Sequence, residues 1–163
     1  MQQTGIENVT KQEGTMKRDN SVTGAAGVYY VCAELARRGY LGYPTLRQTR
    51  GIDVLASSAD GSRGVSLQVK TCSNRKYWML NEKADTLEHD KLFYVFVMLP
   101  ADGGAPTFHI VPSAFVAKRV REGYVRWLQE PGVKGQPHNE TSQRVISLHE
   151  VADYRDRWEL LGL

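Results

Sequence analysis

Cysteine is scarce: Cys32 and Cys72 are the only two in 163 residues, forty positions apart and outside any CxxC arrangement. That excludes a disulfide framework and a cysteine zinc site, so both are expected as reduced, buried thiols. The four histidines, His89, His109, His138 and His149, form no HExxH pair and no finger-like cluster; a histidine-held metal is not expected. No apolar run approaches the roughly 18–20 residues of a membrane span, and the longest, residues 92–100, has the length of a strand. The N-terminal stretch carries Glu7, Lys11, Glu13, Lys17 and Arg18 and no apolar core of signal-peptide type, so the expectation is a cytoplasmic protein without membrane association. A Gly-rich phosphate loop of the Walker or Rossmann kind is missing too, which weighs against an enzyme of small phosphorylated substrates.

What is present suits one domain with a real core: 41% hydrophobic and 24% charged residues. Residues 1–20 are polar and aperiodic and read as a flexible leader, leaving 21–163 as a single domain. Val28, Val31 and Leu35 follow helical spacing with alanines between them, and Gly39 stops the pattern, which predicts a helix resting one face on a sheet. Three β-like runs follow, 43–47, 52–57 and 65–71, the last two joined through the turn dipeptide Asp60-Gly61. A short strand is expected at 76–80, and 82–90 is helix-compatible. The continuous apolar run 93–99 suits a strand covered on both faces, pairing across Asp102-Gly103-Gly104 with 107–111. Pro112 and Ser113 open a helix that ends at Pro131-Gly132, 131–143 is a loop, and 145–148 adds a strand. Val151, Tyr154, Trp158 and Leu161, spaced 3, 4 and 3, predict a last helix. The fold class is α/β, with a central mixed sheet and helices on both faces.

The net charge of +3 is unremarkable, but its distribution is not even. Between residues 36 and 80 eight arginines and lysines face only Asp53 and Asp60, whereas 81–163 carries two more acids than bases. Such a local excess can neutralise several phosphates and supply the salt-sensitive part of polynucleotide binding. Taken alone it is also what an ordinary solvated surface looks like.

The residues that could carry chemistry lie in that basic half. On a helical wheel Glu34 falls about 60° from Val31, at the border between the apolar face and solvent, where its carboxylate can look inward. Asp53 stands among apolar neighbours in Gly51-Ile52-Asp53-Val54-Leu55, and a buried acid needs partners. In Leu67-Gln68-Val69-Lys70 the period of two puts Gln68 and Lys70 on one face, beside the strand that the Asp60-Gly61 turn returns. Oxygen ligands for a hard cation with a lysine nearby are the kit that phosphodiester hydrolysis requires. Each of these residues by itself has an ordinary structural explanation. Tyr77, Trp78 and Phe108 are expected in the core rather than stacked on bases.

A helix-borne Glu, then Gly-Ile-Asp, then Gln-Val-Lys on the returning strand resembles the PD-(D/E)XK nuclease superfamily, in the QxK variant of Mrr-type and related uncharacterised bacterial families. The likeness spans roughly residues 21–111 and implies a restriction-endonuclease-like α/β/α sandwich. It implies, further, that Glu34 matches the first-helix acid, Asp53 the metal-ligating aspartate, Gln68 the second ligand position and Lys70 the catalytic lysine. Mg²⁺, with Mn²⁺ as a substitute, would then be held by Asp53, Gln68, the Val69 carbonyl and Glu34. Arg50, Arg47, Arg75 and Lys76 are the expected contacts to nucleic acid, with DNA the expected polymer and a homodimer one way to choose a target. Two departures stand out: Ile52 replaces the proline of the motif, and the neutral amide of Gln68 replaces a carboxylate and so lowers the charge of the ligand set. The alternative is a catalytically inactive module of the same fold that binds nucleic acid or a protein.

Overall fold

The computed structural model describes residues 19–46, 51–73 and 75–163; the 1–18 part of the expected leader, together with Arg47 and Arg50, lies outside these. Helix α1 (Asn20–Arg37) begins at Asp19, whose carboxylate accepts the Ser21 N–H at 2.7 Å, an N-cap that satisfies one of the orphan donors of the first turn. Thr23, Gly27, Val31 and Leu35 recur every four residues on its buried face. The helix ends where Gly39 takes φ 79°, a left-handed conformation that suits glycine, and the Tyr40 N–H returns to the Leu35 carbonyl.

Five strands form the main sheet: β1 (Leu41–Pro44), β2 (Val54–Ser57), β3 (Gly64–Ser73), β5 (Leu92–Leu99) and β6 (Thr107–Pro112), in the order β1-β2-β3-β5-β6. Only β3 and β5 run parallel; the other pairs are antiparallel. A second, two-stranded sheet joins β4 (Tyr77–Asn81) to β7 (Gln143–Ser147). Helix α2 (Ser113–Gln129) and this small sheet cover the face opposite α1.

The sheet therefore has a core on each side. Under α1 lie Val31, Leu35, Val54, Leu67, Val69, Val95, Val97 and Ile110. Under α2 lie Cys72, Tyr94, Phe96, Val111, Val116 and Val120, closed over by Trp78 and Ile146 of the small sheet. Trp78 donates its indole N–H to the Val97 carbonyl at 3.0 Å, so its one polar atom is satisfied inside the core. Strand β5 is buried on both faces, which is why it reads as an unbroken apolar run. Burying a side chain the size of Phe96 contributes about 1.5–3 kcal/mol.

α1 sits unusually close to β3. A Cβ placed on Gly27 would lie 1.9 Å from the Thr71 hydroxyl oxygen. Gly27→Ala gains up to about 1 kcal/mol of helix propensity, but overpacking costs about 1–3 kcal/mol, so a net loss of stability is expected in urea unfolding. Gly27→Ala combined with Thr71→Ala, which removes the opposing hydroxyl and methyl but leaves the Thr71 Cβ 2.9 Å away, should recover part of it; a single variant as stable as the wild type would contradict this packing.

Several elements differ from expectation, and the differences have local causes. The run 82–90 forms only a short 3-10 turn, Glu82–Asp85, because it has no apolar stripe to bury. Tyr77 is 39% exposed rather than in the core, since β4 is an outer strand whose alternate residues Trp78 and Leu80 point inward; Trp78 and Phe108 are buried. Cys72 is buried and Cys32 half-buried, both as free thiols. β2 starts at Val54, leaving Asp53 just before the strand. The last helix is not an α-helix: 3-10 turns occur at Ala152–Tyr154 and Trp158–Leu161, with Asp156 between them at φ 53°. The Asp156 N–H donates to the Phe108 carbonyl and Arg155 bridges His109, so this segment is drawn along the β6 edge. Its apolar residues divide, Val151 and Tyr154 packing under α2 and Trp158 and Leu161 under α1. One helical stripe faces one way and cannot serve both cores.

Candidate active site at the end of the β2–β3 ladder

The topology brings the end of β1, the start of β2, the end of β3 and the N-terminal half of α1 to one end of the sheet. There a cleft of about 260 Å³ opens between Ser21, Gly24, Ala25 and Val28 of α1 and Thr45, Leu46, Ile52, Asp53 and Val69. Ser21, Gly24, Ala25 and Val28 follow i, i+3, i+4, i+7 spacing, one face of the first two turns, and none of them is an acid.

Asp53 is held by three hydrogen bonds from two sides. Its N–H donates to the Leu67 carbonyl at 2.8 Å, its carbonyl accepts the Thr45 N–H at 2.9 Å, and its Oδ2 accepts the Val69 N–H at 2.8 Å. Strand N–H groups point along the sheet towards the neighbouring strand. The carboxylate therefore lies in the plane of the sheet, in the place a β2 carbonyl would take had the ladder continued. Oδ1 has no hydrogen-bond partner among the described residues.

One step beyond the last paired residues, Val54 and Leu67, Asp53 stands across from Gln68. The Gln68 Oε1 is buried and unpaired, an arrangement that costs free energy unless something else meets the oxygen. Lys70 lies two residues further along β3, about 6.6 Å by strand rise, on the same face as Gln68; it is half-buried, and its side chain has no hydrogen-bond or ion-pair partner among the described residues. Both residues share the face of Cys72, Tyr94 and Phe96 and so do not line the cleft, which opens on the α1 side. The in-plane carboxylate of Asp53 is the group between the two sides.

Glu34 is not brought to this site. It lies at the other end of α1, about 9 Å along the helix axis from Val28, where its carboxylate is tied to Arg37 at 2.6 Å and to Arg38. Partial burial draws its pKa upward, but the hydrogen bonds from Arg38 and Arg37 outweigh that and hold the carboxyl below its usual range. Arg75 and Lys76 are exposed just after β3, at the Asp53 end, with the Arg75 guanidinium 5.8 Å from the centroid of the Tyr77 ring. Among the described residues no group of three His, Cys, Asp or Glu could share a metal ion, so any cation site here draws on amide and carbonyl oxygen as well. The sequence reading also passed over Thr45, whose hydroxyl donates to the Ile52 carbonyl at 2.5 Å. A threonine between a proline and a leucine carries no motif that would have marked it.

A larger cleft, about 500 Å³, lies between α2 and β7. Of its charged lining residues, Arg144 and Glu150 are paired with Asp85 and Arg119, while Arg126 and Glu130 also line it, and His138 stacks on its Trp127 at 4.0 Å. No helix in the described residues is long and apolar enough to cross a membrane.

No family model matches the chain, and no curated protein sequence does. Its structure is similar to that of Archaeoglobus fulgidus Hjc, a Holliday junction resolvase from an archaeal hyperthermophile, with a TM-score of 0.52 over 85% of this chain and 95% of that one and 11% identical residues. At this identity the likeness speaks for the fold alone: the chain has the restriction-endonuclease-like α/β fold that the sequence resemblance implied.

Proposed function

We propose that the chain is a metal-dependent nuclease that hydrolyses phosphodiester bonds in DNA. The observation that carries this reading is the pairing of an anchored aspartate, Asp53, with a buried amide oxygen on Gln68, neither the Asp53 Oδ1 nor the Gln68 Oε1 having a hydrogen-bond partner among the described residues. Hard divalent cations take oxygen ligands, and Asp53, Gln68 and the Val69 carbonyl are the residues that would hold Mg²⁺ or Mn²⁺. Glu34 is left out of that set, being committed to Arg37 and Arg38. A bound divalent cation would polarise the phosphate and lower the pKa of a coordinated water. Lys70 supplies a positive charge on the Gln68 face, where it orients the attacking water and offsets the charge that builds on the phosphate. Arg75 and Lys76 neutralise phosphates of the same strand and give binding its salt dependence. The solved neighbour is a Holliday junction resolvase, so branched DNA is the first substrate to offer.

The test is incubation with duplex, single-stranded and four-way branched DNA, and with RNA, in Mg²⁺, Mn²⁺ or EDTA. Cleavage should need the metal, and Lys70→Ala should reduce its rate about 10²–10³-fold while leaving DNA binding nearly unchanged. Cleavage that persists in EDTA or in Lys70→Ala would sink the mechanism.

A second reading keeps the fold as a DNA-binding module without hydrolysis, and the neutral amide at Gln68 favours it. Calorimetric titration of Mn²⁺ into wild type and Asp53→Ala separates the two, because an inert module should show no difference.

A further inference from the structure

Thr45 grips the backbone on both sides of the Ile52–Asp53 step. Its hydroxyl donates to the Ile52 carbonyl at 2.5 Å and its N–H to the Asp53 carbonyl at 2.9 Å. Asp53 has no strand of its own to hold it, since β2 begins one residue later. On the β3 side it is fixed by the Leu67 carbonyl and the Val69 N–H; on the other side the hold comes from Thr45, the residue just past the outermost strand, β1. We infer that Thr45 is a positioning residue for the site: its hydroxyl sets the orientation of the Ile52–Asp53 segment and thereby keeps the Asp53 carboxylate against the Val69 N–H with Oδ1 turned free.

This rests on the reading of Asp53 as a cation ligand, and the physical step is short. A threonine hydroxyl that bonds a main-chain carbonyl competes with other backbone conformations and selects one. Without that bond the Ile52 carbonyl loses its partner, the segment entering Asp53 gains freedom, and the carboxylate spends less time on Val69. Groups that orient a metal ligand commonly influence affinity about 10–100-fold although they never touch the ion.

Thr45→Val removes the hydroxyl while keeping the shape and the N–H bond to Asp53, whereas Thr45→Ser keeps the hydroxyl. In amide hydrogen exchange, Thr45→Val should speed exchange at Val69 about tenfold, with Val95 and Val97 on the neighbouring β5 strand unchanged. Mn²⁺ affinity should fall about tenfold or more, and kcat on DNA should fall with it while KM stays put. Thr45→Ser should restore all three. The inference alone is overturned if wild type binds Mn²⁺, Asp53→Ala does not, and Thr45→Val matches wild type, or if Thr45→Ser is no better than Thr45→Val. A wild type whose Mn²⁺ titration matches that of Asp53→Ala overturns the reading of Asp53 and this inference together.

Discussion

Asp53→Asn should leave a folded protein that cuts DNA at least about 10²–10³-fold more slowly than wild type, the scale of losing one preorganised electrostatic group. The substitution is chosen because an asparagine side-chain oxygen can still accept the Val69 N–H that Oδ2 takes at 2.8 Å. Stability should therefore change by less than about 1 kcal/mol, while the carboxylate charge is gone and with it most of the attraction for a divalent cation. Asp53→Ala is a poorer probe of the chemistry, because it also strips the Val69 N–H of its acceptor at a cost of about 1–3 kcal/mol. Initial rates on the best substrate, set beside urea unfolding of the same samples, check both halves. An Asp53→Asn protein that retains more than a tenth of wild-type cleavage would remove the carboxylate from the mechanism.

The largest effect on stability should come from Asp85→Ala. Arg144 is only 7% exposed, and its guanidinium is nearly fully bonded: Nε and Nη2 to the Asp85 carboxylate at 2.8–3.1 Å, Nη1 to the carbonyls of Thr141 and Gln143 at 2.8 and 2.9 Å. Its plane lies 3.5 Å from the centroid of Tyr124. The pair ties the turn after β4, the strand β7 and the helix α2 together. The Asp85 interaction is also what raises the Arg144 pKa against the opposing effect of burial. Removing one partner of a pair that is buried at Arg144 and one-fifth exposed at Asp85 leaves a poorly compensated charge and costs about 3 kcal/mol, the lower end for buried pairs. For a chain of this size that is a fall in melting temperature of about 10 °C. Asp85→Asn, which keeps oxygen and shape, should lose less. Thermal unfolding followed by circular dichroism measures both; a drop under about 2 °C for Asp85→Ala would show that the pair is not the fastening described above.

Much of this fold could be read from the sequence because its strongest signals are local. The helical spacing of Val28, Val31 and Leu35 in α1, the turn at Asp60-Gly61 and the unbroken apolar run of β5 each state their structure within a short window. The small sheet was less legible, since β4 and β7 pair across more than sixty intervening residues and nothing in either strand names its partner. The last segment misled for a related reason: spacings of 3, 4 and 3 report that four residues are buried, not that they are buried on the same side. At the site, Gln68 and Lys70 were placed on a shared face by alternation alone, and the strand register agrees. Glu34 shows where the wheel stops being informative. A wheel gives the angle of a residue about the helix and says nothing of its height along it, and Glu34 has an inward angle at the wrong end. The neighbouring Arg37 and Arg38, at i+3 and i+4, were the available sign that its charge was already answered.

The closing segment that runs along β6 has a consequence for how this protein meets copies of itself. A β-sheet offers unsatisfied main-chain groups at each outer strand, and a free outer strand is where another chain adds on and polymerisation begins. On the β6 side Arg155 and Asp156 already occupy that position. Within the five-stranded sheet, growth by strand addition is therefore left to β1, which is four residues long and finishes in Pro44, a residue with no N–H to offer an incoming chain.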